Sequence, residues 1–308
     1  MIYTGSVIVD IVLTLDRVPP VGGDALASSS RLTAGGGYTV MTAAARDGLP
    51  VTFAGQYGSG PFGDIVRSAL AEAGFDTVQP GLADLDSGYC VALVDRNAER
   101  TFVTAVGAEG RLGRADLDAV EVRAEDTVYV SGYSLAHPFT AASLPAWLAA
   151  LPPAARVITD PSPLVASLDL AILAQVMART DVFTANAREA RLATGLTDLS
   201  AAAAVLATRL RPGGFAVVRD GPNGCWLCGP AVAPAPVHVR GFPVTAVDTT
   251  GAGDAHGGIL AAALARGLSP VDAATRANAA AALAVTVAGP ATAPGRAAID
   301  AFLRAAQR

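Results

Sequence analysis

The chain contains no lysine. Its 308 residues include 22 basic side chains, and all of them are arginine. The absence excludes a Walker A P-loop, which needs a lysine to reach the phosphates of a bound nucleotide. Any phosphate group on this protein must therefore be held by backbone N–H groups, by arginine or through a metal ion.

Cysteine is also scarce. The three cysteines are Cys90, Cys225 and Cys228. An odd number in a chain of this length indicates a reducing compartment rather than a disulfide scaffold. Cys225 and Cys228 have C-x-x-C spacing, but no second pair and no nearby histidine completes a zinc site. We therefore interpret the pair as strand packing.

Positive charge is in short supply, and no long apolar run is present. The 27 acidic residues outnumber the 22 basic ones, the net charge is -5, and no run of arginines forms a basic patch. These features exclude nucleic acid as the main partner. The alanine-rich stretch 277–288 is too short to span a bilayer and predicts a buried helix. Because the N-terminus has no signal-peptide pattern, we expect a cytoplasmic protein without a membrane partner.

Short apolar strands alternate with alanine-rich helices from end to end. Helices are predicted at residues 39–46 and 61–73, each closed by a glycine, and strands at residues 2–12, 51–56 and 215–219. Strands separated by helices predict a mostly parallel sheet that is covered on both faces. We expect a single domain over residues 1–308.

Two stretches break this alternation. Residues 24–32 alternate weakly, and residues 88–106 have the pattern of two strands joined at Arg96–Asn97. Strands without crossover helices suggest a small antiparallel sheet outside the main one. Because the stretches flank the Gly35–Gly37 turn, we predict a lid over a cleft, built from about residues 12–33 and 86–106.

The most informative segment is Asp248–His256, with the sequence DTTGAGDAH. A predicted strand at residues 237–247 leads into a glycine turn, and a predicted helix at residues 255–265 follows. Such a turn points backbone N–H groups at a helix start, where the helix dipole favours an anion. An acid at that point, Asp254, indicates a phosphoryl-transfer site with Asp254 as base and Gly251–Gly253 holding the moving charge. The alternative is an ordinary helix cap.

Together with the predicted lid, this motif resembles the C-terminal signature of the ribokinase-like (PfkB) carbohydrate kinases. The resemblance is ordered and spans nearly the whole chain. It implies a three-layer α/β/α fold with a mostly parallel central sheet and a small antiparallel β lid. The other matching segments, in chain order, are Gly5 to Asp10, Gly35–Gly37, Gly58–Gly63, Glu99–Thr101, Asp160–Pro161, Asn186–Glu189 (N-x-x-E) and Asp220–Gly224.

The resemblance also implies a function. It implies ATP-dependent transfer of the γ-phosphoryl group to a hydroxymethyl group of a sugar or nucleoside, with Asp254 accepting the hydroxyl proton. Gly251, Ala252 and Gly253 would form the anion hole. The implied substrate-binding residues are Asp10, Gly36, Gly37 and Thr39.

Cofactor sites are implied by the same resemblance. Asn186 and Glu189 would organise Mg²⁺ and phosphate through water, although the two residues also fit an asparagine version of the capping box. A monovalent cation, K⁺ in the family, would lie at Asp248, Thr250 and Gly289. The remaining implied ATP-binding residues are Asp220, Gly221, Gly224 and Thr249. Lids of this kind pair between subunits in the family, which implies a homodimer.

Three positions depart from the family pattern. Thr39 stands where many members have asparagine, and Ile8 stands where ribokinase has a polar amide two residues before its strand acid. Losing two polar contacts argues against ribose itself as the substrate. His256 replaces a frequent phenylalanine, and it either packs within its helix or contacts the substrate.

Two other function classes remain open at this point. Gly58–Gly63 is a literal G-x-G-x-x-G, which is typical of NAD(P)-dependent oxidoreductases, but Pro61 removes an N–H group that a pyrophosphate would use. The other class is a non-catalytic sugar-binding protein of the same fold. The intact Asp254 and its glycine turn argue against that class.

Overall fold

The computed structural model describes residues 1–97 and 99–306. The strands of this part of the chain are β1 Ile2–Tyr3, β2 Val7–Thr14, β3 Ser29–Gly36, β4 Thr52–Phe53, β5 Asp76–Thr77, β6 Tyr89–Val94, β7 Arg100–Ala105, β8 Thr127–Ser131, β9 Arg156–Asp160, β10 Val182–Asn186, β11 Phe215–Arg219, β12 Gly224–Gly229 and β13 Ala233–Arg240.

The helices lie between these strands and after the last one. They are α1 Gly37–Arg46, α2 Pro61–Glu72, α3 Arg114–Asp118, α4 Gly132–Ala136, α5 Pro138–Ala150, α6 Leu170–Met177, α7 Ala187–Thr194, α8 Leu199–Ala207, α9 Ala252–Ala265, α10 Pro270–Ala284 and α11 Arg296–Ala306. Among the described residues, no helix has both the length and the apolar character that crossing a membrane requires.

The main sheet has the order β13-β12-β11-β10-β9-β8-β1-β4-β5. Each pair of neighbouring strands from β11 to β5 is parallel. At the other edge of the sheet, the β11–β12 and β12–β13 pairs are antiparallel. The carboxyl ends of the parallel strands therefore meet at one edge of the sheet, which is where ligands bind in open α/β folds.

Apolar side chains cover both faces of this sheet. Val217 and Val218 are adjacent in β11, point to opposite faces, and belong to two different hydrophobic clusters. One cluster packs α1, α9 and α10 on the sheet, and the other packs α5, α6 and α8. Burying both faces in this way produces three layers and confirms the predicted α/β/α architecture.

The first predicted strand, residues 2–12, is two strands in different sheets. β1 ends at Tyr3 and belongs to the main sheet, whereas β2 starts at Val7 and belongs to a second sheet. Gly5 lies at the break, where an added methyl group would be 2.4 Å from the hydroxyl of Tyr3. The break falls at the polar segment Thr4-Gly5-Ser6, which the predicted strand had included.

The second sheet has the order β3-β2-β6-β7. The β2–β3 and β6–β7 pairs are antiparallel, and β2 and β6 between them are parallel. The hairpin expected at Arg96–Asn97 is confirmed. In the other predicted segment, residues 24–28 are not a strand, and β3 instead extends to Gly36, next to the start of α1.

The predicted C-terminal boundaries also shift. The strand expected at residues 237–247 ends at Arg240, and α9 begins three residues before its predicted start, at Ala252 rather than Ala255. The helix predicted at residues 277–288 spans Pro270–Ala284 instead. Beyond its end, the carbonyl of Val285 accepts hydrogen bonds from the backbone N–H groups of Val247 (2.7 Å) and Asp248 (3.1 Å). This contact fixes the segment that leads into the glycine turn.

Candidate active site

Helix α9 begins at an uncapped glycine turn. Gly251, the N-cap residue, has a left-handed conformation with φ of 74°, and no side chain caps the helix. A methyl group at Gly251 would lie 2.1 Å from the carbonyl oxygen of Pro290, so only glycine fits. By contrast, Asn186 caps α7 and Asp169 caps α6. Ala252 donates its N–H to the carbonyl of Thr249 at 3.3 Å, whereas no side chain of the described residues caps the N–H groups of Gly253 and Asp254. A helix start of this kind attracts an anion.

Asp254 lies in this first turn and is partly accessible from the cleft. Burial, the largest cause, and the negative charges of Asp160, Asp10 and Glu189 together raise the pKa of its carboxyl to about 7, although the positive charge of Arg219 lowers it. A carboxyl with a pKa near neutrality can both accept and release a proton at physiological pH. The arrangement suits a general base.

Asp10 lies opposite, on the second sheet. Its negative charge acts on Asp254, so the two carboxyl groups lie within electrostatic range of each other. Burial raises the pKa of Asp10 to about 6 against the opposing positive charge of Arg31 on the neighbouring strand. Space beside the carboxylate exists because residue 35 is glycine: a methyl group there would lie 2.0 Å from Oδ2 of Asp10.

The starts of α1 and α9 adjoin each other. Gly36, whose φ is 58°, is the N-cap residue of α1, and no side chain of the described residues caps this helix either. Gly37 donates its N–H to the carbonyl of Ser6 at 2.8 Å. A methyl group at Gly251 would lie 3.1 Å from Cγ2 of Thr39, in the first turn of α1. The predicted substrate-binding residues therefore adjoin the predicted anion turn.

Asn186 and Glu189 form a reciprocal capping box at the start of α7. The Asn186 side chain accepts the N–H of Glu189 at 2.9 Å, and the Glu189 carboxylate accepts the N–H of Asn186 at 2.7 Å and its side-chain amide at 2.7 Å. Glu189 is buried and Asn186 is exposed. Both oxygens of Glu189 are thus engaged, which leaves contact with a metal ion to intervening water.

The predicted nucleotide hairpin follows β11 directly. Gly221 and Gly224 both have positive φ, 54° and 99°, and Asp220 donates its N–H to the carbonyl of Gly224 at 2.7 Å. A methyl group at Gly224 would lie 2.1 Å from the carbonyl of Val239. Thr249 is exposed just before the α9 turn. The hairpin and Thr249 therefore lie on the segments that immediately flank Arg219 and the turn.

Asp248 connects the other two residues of the predicted cation site, Thr250 and Gly289, through its carboxylate. Its carboxylate accepts the N–H groups of Thr250 (2.9 Å) and Gly289 (3.0 Å), and it pairs with Arg100 of β7 at 2.5 Å. These contacts, partly opposed by burial, lower the pKa of Asp248. The predicted cation site at Asp248, Thr250 and Gly289 stays a prediction.

Arg219, at the end of β11, was not among the residues predicted from the sequence. Its guanidinium donates to the carbonyl of Gly253 at 2.9 Å and to the carboxylate of Asp160 at 3.0 Å, and it lies 3.5 Å from Glu189. Two features of the sequence could have pointed to Arg219. It lies at the carboxyl end of a predicted strand, and arginine is the basic side chain available for phosphate in a sequence without lysine.

His256 is buried in α9, and within the described residues neither ring nitrogen has a hydrogen-bond partner. Burial, with a contribution from Arg219, lowers its pKa to about 3, so the ring is neutral. Cys225 and Cys228 are buried free thiols on β12, as strand packing predicts.

The backbone N–H groups of the G-x-G-x-x-G segment bind a carboxylate of the same chain. Asp86 accepts the backbone N–H groups of Gly60 (3.1 Å), Phe62 (3.1 Å) and Gly63 (2.7 Å) at the start of α2. A carboxylate therefore fills the position that a pyrophosphate would need. This contact removes the structural basis for the oxidoreductase alternative.

Comparison with known proteins gives a family match and close relatives. The model of the pfkB family of carbohydrate kinases matches residues 2–295. The uncharacterized sugar kinase YegV of Escherichia coli (strain K12) is 30% identical over 299 residues, which cover 96% of this chain and 91% of the relative. The ATP-dependent ribose-1-phosphate kinase of Halopiger xanaduensis is 31% identical over 311 residues, covering 98% and 97%.

Solved structures with the same architecture are also found. The crystal structure of ribokinase from Thermotoga maritima superposes with a TM-score of 0.83 and covers 98% of each chain at 24% sequence identity. The likeness confirms the predicted fold class.

Proposed function

The chain belongs to the pfkB family of carbohydrate kinases, and from that premise we propose that it transfers the γ-phosphoryl group of ATP to a hydroxyl of a sugar or a related small molecule. As a kinase it is a phosphotransferase. In this proposal Asp254 is the general base and the turn Gly251–Gly253 is the anion hole. The observation that carries the proposal is the carboxylate of Asp254 at an uncapped helix start, within electrostatic range of Asp10.

The proposed mechanism uses positioning and charge. Asp10 accepts hydrogen bonds from substrate hydroxyls, and the ionised Asp254 takes the proton of the attacking hydroxyl as its oxygen bonds to the γ-phosphorus. The bond from the γ-phosphorus to the β–γ bridging oxygen breaks, and ADP leaves. Because charge moves on the transferred group, the turn's N–H groups stabilise the transition state.

We place ATP along the hairpin and the capping-box helix. Asp220, Gly221, Gly224 and Thr249 would contact the nucleotide, with Asn186 and Glu189 acting on its phosphates through water. Within the described residues no cluster of three acidic, histidine or cysteine side chains forms a metal cage. Asn186 and Glu189 would hold Mg²⁺ through water, and the bound ion would neutralise phosphate charge.

The substrate class is narrowed by two positions. Thr39 and Ile8 offer less polar contact than the residues that ribokinase has there, which argues against free ribose. The ribose-1-phosphate kinase relative extends the candidates to phosphorylated sugars. Pentoses, hexoses, sugar acids and nucleosides complete the set, a nucleoside kinase being the alternative of the same fold.

One row of the second sheet is available for the implied homodimer. Leu32 and Val103 are 52% and 63% exposed at its two ends, and Ile11 and Val91 lie between them in register. The row is on the face opposite Asp10. We propose that a second copy covers this row.

A coupled ADP-release screen over these substrate classes tests the proposed function. We expect ATP- and Mg²⁺-dependent turnover with at least one class, and turnover reduced roughly 10²- to 10⁴-fold in the Asp254→Asn variant. ATP binding without turnover on every class would instead favour a non-catalytic sugar-binding protein. A fluorescence titration with NADPH should show no binding, since Asp86 fills the competing site.

Replacing Gly35 with alanine should weaken substrate binding selectively. The added methyl group would displace the Asp10 carboxylate, which lies 2.0 Å from its position. Losing a hydrogen bond to a charged group corresponds to a loss of affinity of about 10- to 100-fold. We therefore expect KM for the sugar to rise by that factor, while KM for ATP is unchanged. Steady-state kinetics with each substrate varied in turn measure both constants.

The matched control for this variant is Gly113→Ala. Gly113 has a φ of -109°, and the nearest atom to an added methyl group is 3.8 Å away. Its kinetics should equal those of the unmodified protein. An unchanged sugar KM in the Gly35→Ala variant would contradict the role of Asp10.

A further inference from the structure

We propose that Arg219 is a positioning residue that holds the first turn of α9 and keeps the Asp254 carboxylate ionised for proton transfer. The inference rests on the proposed function and adds to it a residue outside the set predicted from the sequence. Arg219 acts through Gly253 and Asp254, and no substrate contact is assigned to it.

The geometric part of the argument starts from the contacts of the guanidinium. Nη1 donates to the carbonyl of Gly253 at 2.9 Å, and Nη2 donates to Oδ2 of Asp160 at 3.0 Å. The Arg219 side chain is only 10% exposed. A strand of the main sheet is thereby tied to the last residue of the anion turn, 34 positions along the chain.

This contact also explains the second glycine of the turn. A methyl group at Gly253 would lie 2.7 Å from Nη1 of Arg219. Gly253 has no need of a left-handed conformation, because Gly251 alone in the turn has positive φ. A side chain at position 253 would therefore displace the guanidinium of Arg219.

The electrostatic part concerns the charges around Asp254. Three carboxylates act on it, Asp160 from β9, Asp10 from β2 and Glu189 from α7, and each of them opposes its ionisation. Arg219 from β11 is the positive group among those that act on Asp254, and it favours ionisation. The other titratable groups facing this region are neutral: the ring of His256, and the phenols of Tyr3, Tyr129 and Tyr133, whose pKa values burial raises.

The pH dependence of kcat/KM separates this role from a structural one. The acidic limb of the profile reports the ionisation of the base in the free enzyme. Removing a neighbouring opposite charge in Arg219→Gln should move that limb upward by about one to three pH units. Arg219→Lys retains the charge without the two-pronged contact, so its limb should stay near that of the unmodified protein while kcat falls.

The opposite shift is expected from Asp160→Asn. This variant removes a carboxylate that opposes ionisation, so its acidic limb should move to lower pH. Arg240→Gln is the matched control, because Arg240 ends β13, two strands away from β11 in the same sheet, and is exposed. Its profile should be unchanged.

If Arg219→Gln does not fold, the double variant Arg219→Gln with Asp160→Asn restores the charge balance, and its limb should lie above that of Asp160→Asn alone. An acidic limb that stays in place when Arg219 is removed, or that moves as far in Arg219→Lys as in Arg219→Gln, would overturn the proposal.

An infrared titration gives a readout that does not depend on turnover. The carbonyl band of protonated Asp254, identified by its loss in Asp254→Asn, should persist to higher pH in Arg219→Gln. A shifted band in a protein that phosphorylates nothing would retain the Arg219 role and reject the kinase assignment of the site. Turnover with an unshifted band would retain the kinase assignment of the site and reject the Arg219 role.

Discussion

The Asp254→Asn variant is expected to lose roughly 10²- to 10⁴-fold in kcat, the range typical of a general base, while it still binds ATP. Asparagine has nearly the same shape and leaves the turn Gly251–Gly253 in place, but it cannot accept the proton of the attacking hydroxyl. The residual rate would come from the N–H groups of the turn and from substrate positioning. Coupled ADP-release kinetics and calorimetric ATP titration measure the two quantities.

The pH profile adds a second expected difference. Because the pKa of Asp254 is about 7, kcat/KM of the unmodified protein should fall as the pH drops below about 7 and the base becomes protonated. The residual activity of Asp254→Asn should lack this limb. A variant with an unmodified rate, or with the same acidic limb, would contradict the assignment of the base.

Stability provides the control that the variant is folded. Burial raises the pKa of Asp254 from 3.8 to about 7, so between these values the folded state binds the proton more tightly than the unfolded state does. The favourable contribution is complete below pH 3.8 and is lost as the pH rises through about 7. Asparagine removes the cost of ionisation, so Asp254→Asn should have the higher Tm at pH 8, and the difference should shrink toward pH 4.

Features encoded by neighbouring residues could be predicted from the sequence. The β11 strand and the hairpin at Arg96–Asn97 follow from local hydrophobic periodicity and turn chemistry. The anion turn is likewise contiguous, since Gly251–Gly253 and Asp254 lie in one motif. Even the capping box of Asn186 and Glu189 depends on a spacing of only three residues.

Features made by distant residues could not be predicted in this way. Asp86 reaches the start of α2 across 23 positions to Gly63, and Arg219 reaches Gly253 across 34. Neither contact leaves a periodic signal in the sequence.

A buried ion cluster far from the cleft was missed for the same reason. Asp47 follows α1, is fully buried, and accepts from Nε (3.0 Å) and Nη2 (2.5 Å) of Arg276. Arg266 and Arg296 lie 3.0 Å and 3.7 Å from the same carboxylate. One acid thus joins the segments around α1, α9, α10 and α11.

Replacing Asp47 with asparagine should lower the free energy of unfolding by about 3 to 5 kcal/mol, because it leaves the nearly buried Arg276 facing other cations without that carboxylate. Urea unfolding measures the loss. Asp118→Asn is the matched control: its pair with Arg114 is about half exposed, and the expected loss is about 0.5 kcal/mol or less. Since Asp47 contacts no residue of the proposed site, kcat of the folded variant at low temperature should equal that of the unmodified protein. A loss below about 1 kcal/mol would mean that water or rearranged partners already satisfy these arginines.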